Sequence, residues 1–180
     1  MKTIDFSGVS TALVTPFFKG KLDLDSLQKL VEKQISAGVQ GLVPVGTTGE
    51  SPTLSAKEHL EVIRKTVEFA DGRAVVIAGT GSNSTAEAVK YTREADQAGA
   101  DAMLQVAPYY NKPSQQGLYL HFSKVAEATE KPIMLYSIPG RCIIEIALDT
   151  CQRLYEDHPH ICAVKEAGGD CDKVAALKRK

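Results

Sequence analysis

The sequence predicts an α/β fold in which a parallel sheet is covered by helices. Two observations support this prediction: six short apolar segments recur at roughly thirty-residue spacing, and a helical pattern follows each of them. Apolar runs without polar alternation are typical of strands that are buried on both faces, as they are in parallel sheets. In such folds, functional side chains collect beyond the carboxyl ends of the strands.

Each predicted strand is an apolar run bounded by turn residues. The first run ends at Thr15-Pro16, because proline has no amide hydrogen to donate to a neighbouring strand. The sixth run carries Lys165 at its carboxyl end and is followed by Gly168-Gly169. The predicted strands are 9–14, 41–45, 74–78, 102–106, 132–136 and 161–164.

The predicted helices begin at residues that can cap a helix amino terminus. Asp23 or Asp25 precedes apolar residues at three- and four-residue steps, a pattern that ends at Ala37-Gly38. Ser55 and Glu58 form a capping-box pattern. The remaining helices are expected at 55–70, 84–98, 114–129 and 147–155, with a short amphipathic segment at 174–177.

Two architectures fit this order of elements. An open doubly wound sheet could be complete in 180 residues, whereas an eightfold barrel of about 250 residues would be cut after its sixth strand. In both architectures the polar residues that follow the strands converge on one face. These residues are Thr47, Thr48, Tyr110, Tyr136, Arg141 and Lys165.

Composition argues against nucleic-acid and membrane partners. Lys and Arg number 21 against 22 Asp and Glu, so no basic excess favours nucleic acid or an anionic membrane. No apolar run is long enough to span a bilayer, and the segment 1–6 lacks the apolar core of a secretory signal. The four cysteines form no C-x-x-C pair, and the histidines lack metal-ligand spacing. We therefore expect a cytoplasmic protein without a metal, acting on a small molecule.

Lys165 is the first candidate for chemistry. An ammonium at the rim of an apolar interior loses hydration, which lowers its pKa and allows the neutral amine to attack a carbonyl and form a Schiff base. A solvent-exposed lysine that ends a strand and has no chemical role fits the same pattern.

Four other features carry both a functional and a structural interpretation. The loop Gly46–Ser51 could hold a small carboxylate through backbone amides and the hydroxyls of Thr47 and Thr48, or it could be an ordinary turn. The loop Gly79–Ser84 resembles part of a dinucleotide loop but lacks its third glycine, so a turn is favoured. The phenols of Tyr109, Tyr110 and Tyr136 could relay protons or could only pack, and Arg141 could bind a second carboxylate or face solvent.

Taken together, the motifs resemble the dihydrodipicolinate synthase and N-acetylneuraminate lyase family, whose members are class I aldolase-like TIM (β/α)8 barrels. The resemblance runs from Ser10 to Ala167, nearly the whole chain. It rests on Ser10–Phe17, Gly46–Ser51, Ala78–Gly81, Pro108–Pro113, Leu135-Tyr136, Pro139–Arg141 and Val164–Ala167.

The resemblance implies a Schiff-base mechanism with no cofactor beyond the covalently bound pyruvate. Lys165 would condense with pyruvate, Thr47 and Thr48 would hold its carboxylate and pass protons, and Tyr136 would assist this step. Tyr110 would enter the site of a neighbouring subunit, which implies a homo-oligomer, commonly a tetramer built from two dimers.

The Pro139–Arg141 motif favours the synthase branch of the family. In that branch an arginine, here Arg141, binds the carboxylate of aspartate semialdehyde, and the product is 4-hydroxy-tetrahydrodipicolinate on the diaminopimelate route to lysine. A related pyruvate aldolase with another acceptor, or a small-ligand-binding module without catalysis, are the alternatives.

Members of the family that respond to lysine suggest a second site. Ala56 departs from a histidine present in some of these sites. Two further departures lie outside the lysine site: Ser137 replaces a commoner asparagine, and Cys142 replaces a commoner threonine. The residues that match the possible allosteric lysine site are Ser51, His59, Asn83, Glu87 and Tyr109.

The resemblance also implies that residues 1–180 form a single barrel domain that is incomplete. Members of the family continue through two further strands and a helical carboxyl-terminal region. We therefore expect the isolated chain to have weak or no activity, because backbone that lines the pyruvate pocket would be absent.

Overall fold

A computed structural model describes residues 4–179 of the chain. Met1, Lys2 and Thr3, which belong to the amino-terminal segment considered above, and Lys180 lie outside the described residues. The strands are β1 (Ser10–Ala12), β2 (Phe17–Phe18), β3 (Lys21–Leu22), β4 (Gly41–Val43), β5 (Val75–Gly79), β6 (Ala102–Val106), β7 (Ile133–Ser137) and β8 (Ile161–Glu166). The helices are α1 (Leu24–Ser36), α2 (Ala56–Ala70), α3 (Thr85–Gln97), α4 (Gln115–Ala126), α5 (Pro139–Cys142), α6 (Leu148–Asp157) and α7 (Cys171–Arg179).

The six predicted strand–helix units are all present, and the differences lie at their ends. The strand expected at 41–45 stops at Val43, because Pro44 has no amide hydrogen and Val45 takes a left-handed φ of 46°. The sequence predicts a loop after the first strand. This prediction is wrong in part, because β2 and β3 form an antiparallel hairpin there. Its turn residues, Lys19 and Gly20, both have positive φ, as a type I′ turn requires.

The carboxyl-terminal half contains more helix than the sequence predicts. The sequence predicts a loop after β7, but the short helix α5 begins there, at Pro139. Proline suits the first turn of a helix, because its missing amide hydrogen would have no partner there. The amphipathic piece expected at 174–177 is longer, since α7 begins at Cys171 and extends to Arg179.

The chain forms two compact units. The first contains the residues up to Thr80 together with Glu94–Met103. In it β1, β4 and β5 pair in parallel and in chain order, with Leu42 opposite both Thr11 and Val76. Its core contains the buried side chains of Leu13, Val31, Leu42, Ala70, Ala74 and Val76.

The second unit contains Gly81–Arg93 and the chain from Leu104 onward. Its parallel strands β7 and β8 pair over their whole length, with one irregularity: Ile133 lies opposite Ile161, but Met134 lies opposite Ala163. Cys162 is therefore the extra residue of a β-bulge. The buried core of this unit includes Leu118, Phe122, Ile133, Leu135, Ile146 and Leu154.

Two predicted helix caps are confirmed. The Asp23 carboxylate accepts a hydrogen bond from the backbone amide of Ser26, so Asp23 rather than Asp25 caps α1. Ser55 and Glu58 form the capping box of α2. Within residues 4–179, no helix combines the length and the apolar character that a membrane crossing requires.

Gly79, at the end of β5, allows two loops to approach closely. A Cβ atom at this position would lie 2.3 Å from the carbonyl oxygen of Val45, and Gly79 donates its backbone amide to the carbonyl of Pro44 at 3.0 Å. The backbone that leads into the Gly46–Ser51 loop is thus fixed by a contact that only glycine permits. A side chain is also excluded at Gly81, since a Cβ atom there would lie 2.4 Å from the Val106 amide nitrogen.

We predict that Gly79→Ala lowers the free energy of unfolding by about 1–3 kcal/mol, because the new methyl group must displace backbone rather than a flexible side chain. The matched control is Gly140→Ala, where an added Cβ meets nothing within 4 Å. This control should change stability by less than about 1 kcal/mol. Urea denaturation of both variants measures the difference, and equal midpoints would contradict the prediction.

Candidate active site

Lys165 and Tyr136 lie side by side at the carboxyl ends of β8 and β7. The strand register places them directly opposite each other. The Lys165 Nζ atom lies 4.1 Å from the centroid of the Tyr136 ring, and the tyrosine is only 5% exposed. The structure therefore brings together the predicted nucleophile and its predicted phenolic neighbour.

The environment of Lys165 favours the neutral amine. The side chain is half-buried, and burial lowers the pKa of its ammonium from the ordinary value of 10.5. A larger fraction of Lys165 is therefore an unprotonated nucleophile near neutral pH than for a lysine in water.

The β-bulge at Cys162 sets the direction in which Lys165 points. Successive side chains of a strand alternate between the two faces of the sheet, so one extra residue moves every later side chain to the other face. After the bulge, Lys165 shares a face with Tyr136, while Glu166 shares a face with Ser137. The bulge could not be predicted from the sequence, because it depends on the pairing of two segments that are distant in the chain.

Thr47 and Thr48 belong to the first unit, in a 3₁₀ turn (Thr47–Gly49) that follows β4. Thr47 is half-buried and Thr48 is exposed. The turn is held by a hydrogen bond from the hydroxyl of Thr15 to the Gly49 carbonyl at 2.7 Å. The preceding Val45 is a β-branched residue with a left-handed φ, a strained conformation that is common at functional sites.

Tyr110 and Arg141 are both exposed in the second unit. Tyr110 is 86% exposed and has a φ of 75°. Arg141 lies in α5, next to the buried Cys142, whose thiol pKa is raised by burial. Ile143, which ends this short helix, is a second β-branched residue with a left-handed φ. Sequence reasoning missed the strain at Val45 and Ile143, since their residue types argue against such a conformation.

Three of the five residues predicted for a lysine site lie close together in the second unit. The amide of Asn83 donates to the Tyr109 carbonyl at 3.2 Å, and Glu87 accepts from the Ser82 hydroxyl at 2.5 Å. Burial, followed by the charge of Glu87, raises the pKa of the Tyr109 phenol.

The other two predicted residues belong to the first unit. Ser51 is half-buried and begins a second 3₁₀ turn. His59 is 1% exposed, and its Nε2 atom lies 2.7 Å from the Gly79 carbonyl oxygen. This distance allows Nε2–H to donate a hydrogen bond, which anchors α2 to the end of β5.

A buried cluster of charges around Lys173 was missed by sequence reasoning. The Lys173 Nζ atom lies 2.6 Å from Glu166 Oε2 and 2.8 Å from Glu145 Oε1. It also lies 3.5 Å from the hydroxyl of Ser137. A lysine in an amphipathic helix is normally exposed, so the sequence does not predict that Lys173 is buried. The only sign of such a cluster in the sequence is an acidic residue, Glu166, directly after Lys165.

A groove of about 730 Å³ runs along β8. Its lining is mainly apolar and includes Leu135, Val164, Val174 and Leu177, with Lys165 and Glu166 also contributing. Among residues 4–179, no three His, Cys, Asp or Glu side chains are grouped so that they could hold a metal ion.

Comparison with known proteins connects this arrangement to a family. A 4-hydroxy-tetrahydrodipicolinate synthase of Endomicrobium trichonymphae is 54% identical over 173 residues, which are 96% of this chain and 60% of that protein. The chain thus spans about 60% of the length of the curated relatives it matches.

Solved structures match to a similar extent. The dihydrodipicolinate synthase of Acinetobacter baumannii, solved in complex with pyruvate, superposes with a TM-score of 0.90 at 48% identity, covering 95% of this chain and 60% of that one. The DHDPS of Cyanidioschyzon merolae, solved with lysine bound, gives a TM-score of 0.91 at 42% identity, covering 94% of this chain and 58% of that one. These matches confirm the predicted α/β barrel type, of which this chain supplies six strand–helix units.

The family model confirms the resemblance that the motifs predict. The model of the dihydrodipicolinate synthetase family matches residues 5–180. The chain therefore belongs to the dihydrodipicolinate synthetase family.

Proposed function

We propose that the chain carries the Schiff-base-forming part of a 4-hydroxy-tetrahydrodipicolinate synthase, a lyase that condenses pyruvate with aspartate 4-semialdehyde. The observation that carries the proposal is the half-buried Lys165, with its lowered pKa, packed over Tyr136 at the ends of two parallel strands. A relative with this activity in its name is 54% identical over nearly the whole chain.

The proposed reaction begins at the Lys165 amine. The neutral amine attacks the keto carbon of pyruvate, and loss of water gives an imine. A proton then leaves the pyruvate methyl group, and the resulting enamine carbon forms a bond to the aldehyde carbon of the second substrate. The amino group of the second substrate then attacks the imine carbon, which closes the ring and releases the Lys165 amine.

The other site residues have distinct proposed roles. Tyr136 moves protons while the imine forms, Thr47 takes part in the same relay, and Thr48 binds the pyruvate carboxylate. Arg141 binds the carboxylate of aspartate semialdehyde, a task that suits the planar fork of its guanidinium. Pyruvate on Lys165 is the only bound group that this scheme needs.

The proposal extends to assembly and cellular setting. Tyr110, which is 86% exposed, would complete the relay in a neighbouring subunit of a homotetramer. The same proposal includes a single barrel domain that spans the chain. It also places the reaction in the cytoplasm, on the diaminopimelate route to lysine.

We predict that borohydride traps pyruvate on Lys165. The chain is incubated with pyruvate, reduced, and digested, and the modified peptide is identified by mass spectrometry. Lys165→Ala should abolish the adduct, whereas Lys124→Ala, which removes an exposed lysine paired with Glu127, should leave it unchanged. Modification of a different lysine, or none in a version extended to the full length of its relatives, would overturn the proposed mechanism.

We further predict that adduct formation reaches half of its maximal rate at a pH below 10.5. The reason is that burial lowers the pKa of Lys165, so the reactive neutral amine accumulates at lower pH than in a lysine model compound. The rate of borohydride-trapped adduct is measured from pH 6 to pH 11, values chosen as about four units below to just above the ordinary lysine pKa.

Tyr136→Phe is the matched variant for this titration. It keeps the ring that covers Lys165 but removes the hydroxyl, so the midpoint should stay while the maximal rate falls about a hundredfold. A midpoint at or above that of the model compound would contradict the assignment of Lys165 as an activated amine.

For the lysine site, we predict that Glu87→Gln weakens binding of free lysine at least about tenfold, a loss of about 1.4 kcal/mol. Glu87 supplies the carboxylate expected to pair with the ligand ammonium. Isothermal titration calorimetry measures the affinity, with Glu127→Gln, an exposed residue at the carboxyl end of α4, as the control. Equal affinities of the two variants would remove Glu87 from the proposed site.

A further inference from the structure

Lys173 is a buried cation that the proposed reaction leaves unused. It lies in the first turn of α7, is 7% exposed, and its Nζ atom contacts Glu166 at 2.6 Å and Glu145 at 2.8 Å. The hydroxyl of Ser137 lies 3.5 Å from the same atom. One side chain therefore connects α7 with the ends of β7 and β8 and with the segment before α6.

Two of the three contacts of Lys173 fall on one register pair of β7 and β8. Ser137 and Glu166 lie opposite each other, and the preceding pair is Tyr136 with Lys165. Because adjacent residues of a strand point to opposite faces, Lys173 bridges one face of the sheet while Lys165 and Tyr136 meet on the other. A shift of one strand end relative to the other would alter both pairs at once.

The surroundings of Lys173 favour its protonated form. Burial alone would lower the pKa of Lys173, but hydrogen bonds to Glu145 and Glu166 raise it above its ordinary value. The Glu166 side chain is 4% exposed, so its carboxylate depends on Lys173 for compensation, whereas that of Glu145 is half-exposed and reaches water.

The position of Lys173 is fixed by the helix that carries it. The Asp170 carboxylate accepts hydrogen bonds from the backbone amides of Asp172 at 2.9 Å and Lys173 at 3.1 Å. This cap closes the first turn of α7, the turn that carries Lys173. The ammonium therefore approaches Glu166 from a fixed backbone rather than from a flexible loop.

We propose that Lys173 is a positioning residue for the reaction at Lys165. Through Glu166 and Ser137, it holds the ends of β7 and β8 in the register that keeps the Lys165 amine over the Tyr136 ring. This inference rests on the proposed Schiff-base function of Lys165.

The test compares variants of the full 180-residue chain. Lys173→Met keeps the volume of the side chain but removes the bridge, and the maximal rate of borohydride-trapped pyruvate adduct should fall at least tenfold. The pyruvate concentration that gives half of that rate should change less than threefold, because Lys173 lies on the face of the sheet opposite to Lys165. Lys173→Arg, which can still reach two carboxylates, should retain at least a third of the rate.

A double variant separates positioning from stability. Lys173→Met leaves the Glu166 carboxylate buried and uncompensated, so it could lower the melting temperature by that cause alone. Glu166→Gln combined with Lys173→Met removes both charges and should restore the melting temperature, while the adduct rate stays at least tenfold low. Recovery of the rate in a stable double variant would overturn the inference.

The outcomes distinguish this inference from the proposed function. If no adduct forms on Lys165, even in a version extended to the full length of the relatives, the proposed function fails and the positioning role fails with it. If the unaltered chain forms the adduct and Lys173→Met forms it at the same rate, only the positioning role fails.

Discussion

The pairing of Tyr136 with Lys165 is the constraint on which the candidate active site depends. The amine can lie over the phenol ring only if both residues face the same side of the sheet, and a slip of one residue would turn Lys165 away. The bulge at Cys162 sets this alignment, since it shifts the register between β7 and β8 by one residue for every pair that follows it. A local irregularity in β8 thus decides the direction of the nucleophile.

Strained backbone occurs in the segments that follow the carboxyl ends of the strands. Val45, Tyr110 and Ile143 all take left-handed φ values, although none is glycine. Such conformations cost about 1–3 kcal/mol each and persist only where the surroundings hold them. At Val45 one such constraint is visible, because Gly79 packs directly against its carbonyl group. The loop that carries Thr47 is therefore shaped by contacts behind it as well as by its own sequence.

The sequence predicts those features of the fold that depend on local pattern. Apolar runs located the strands, and Ser55 with Glu58 located the start of α2, because periodicity and capping act within a few residues. The bulge at Cys162 and the burial of Lys173 could not be predicted in this way, since each depends on a partner that is distant in the chain. For the candidate site, the sequence predicts that Lys165 and Tyr136 are functional residues. It does not predict that the amine of one lies over the ring of the other.

Lys165 and Lys173 demonstrate how surroundings assign opposite tasks to one residue type. Burial lowers the pKa of Lys165, whereas hydrogen bonds to Glu145 and Glu166 outweigh burial and raise the pKa of Lys173. A nucleophile must give up its proton, and an anchor for a buried carboxylate must keep it. Because adjacent residues in β8 face opposite sides, the Glu166 carboxylate that contacts Lys173 lies on the face away from Lys165. The strand therefore separates the two electrostatic environments that the proposed chemistry requires.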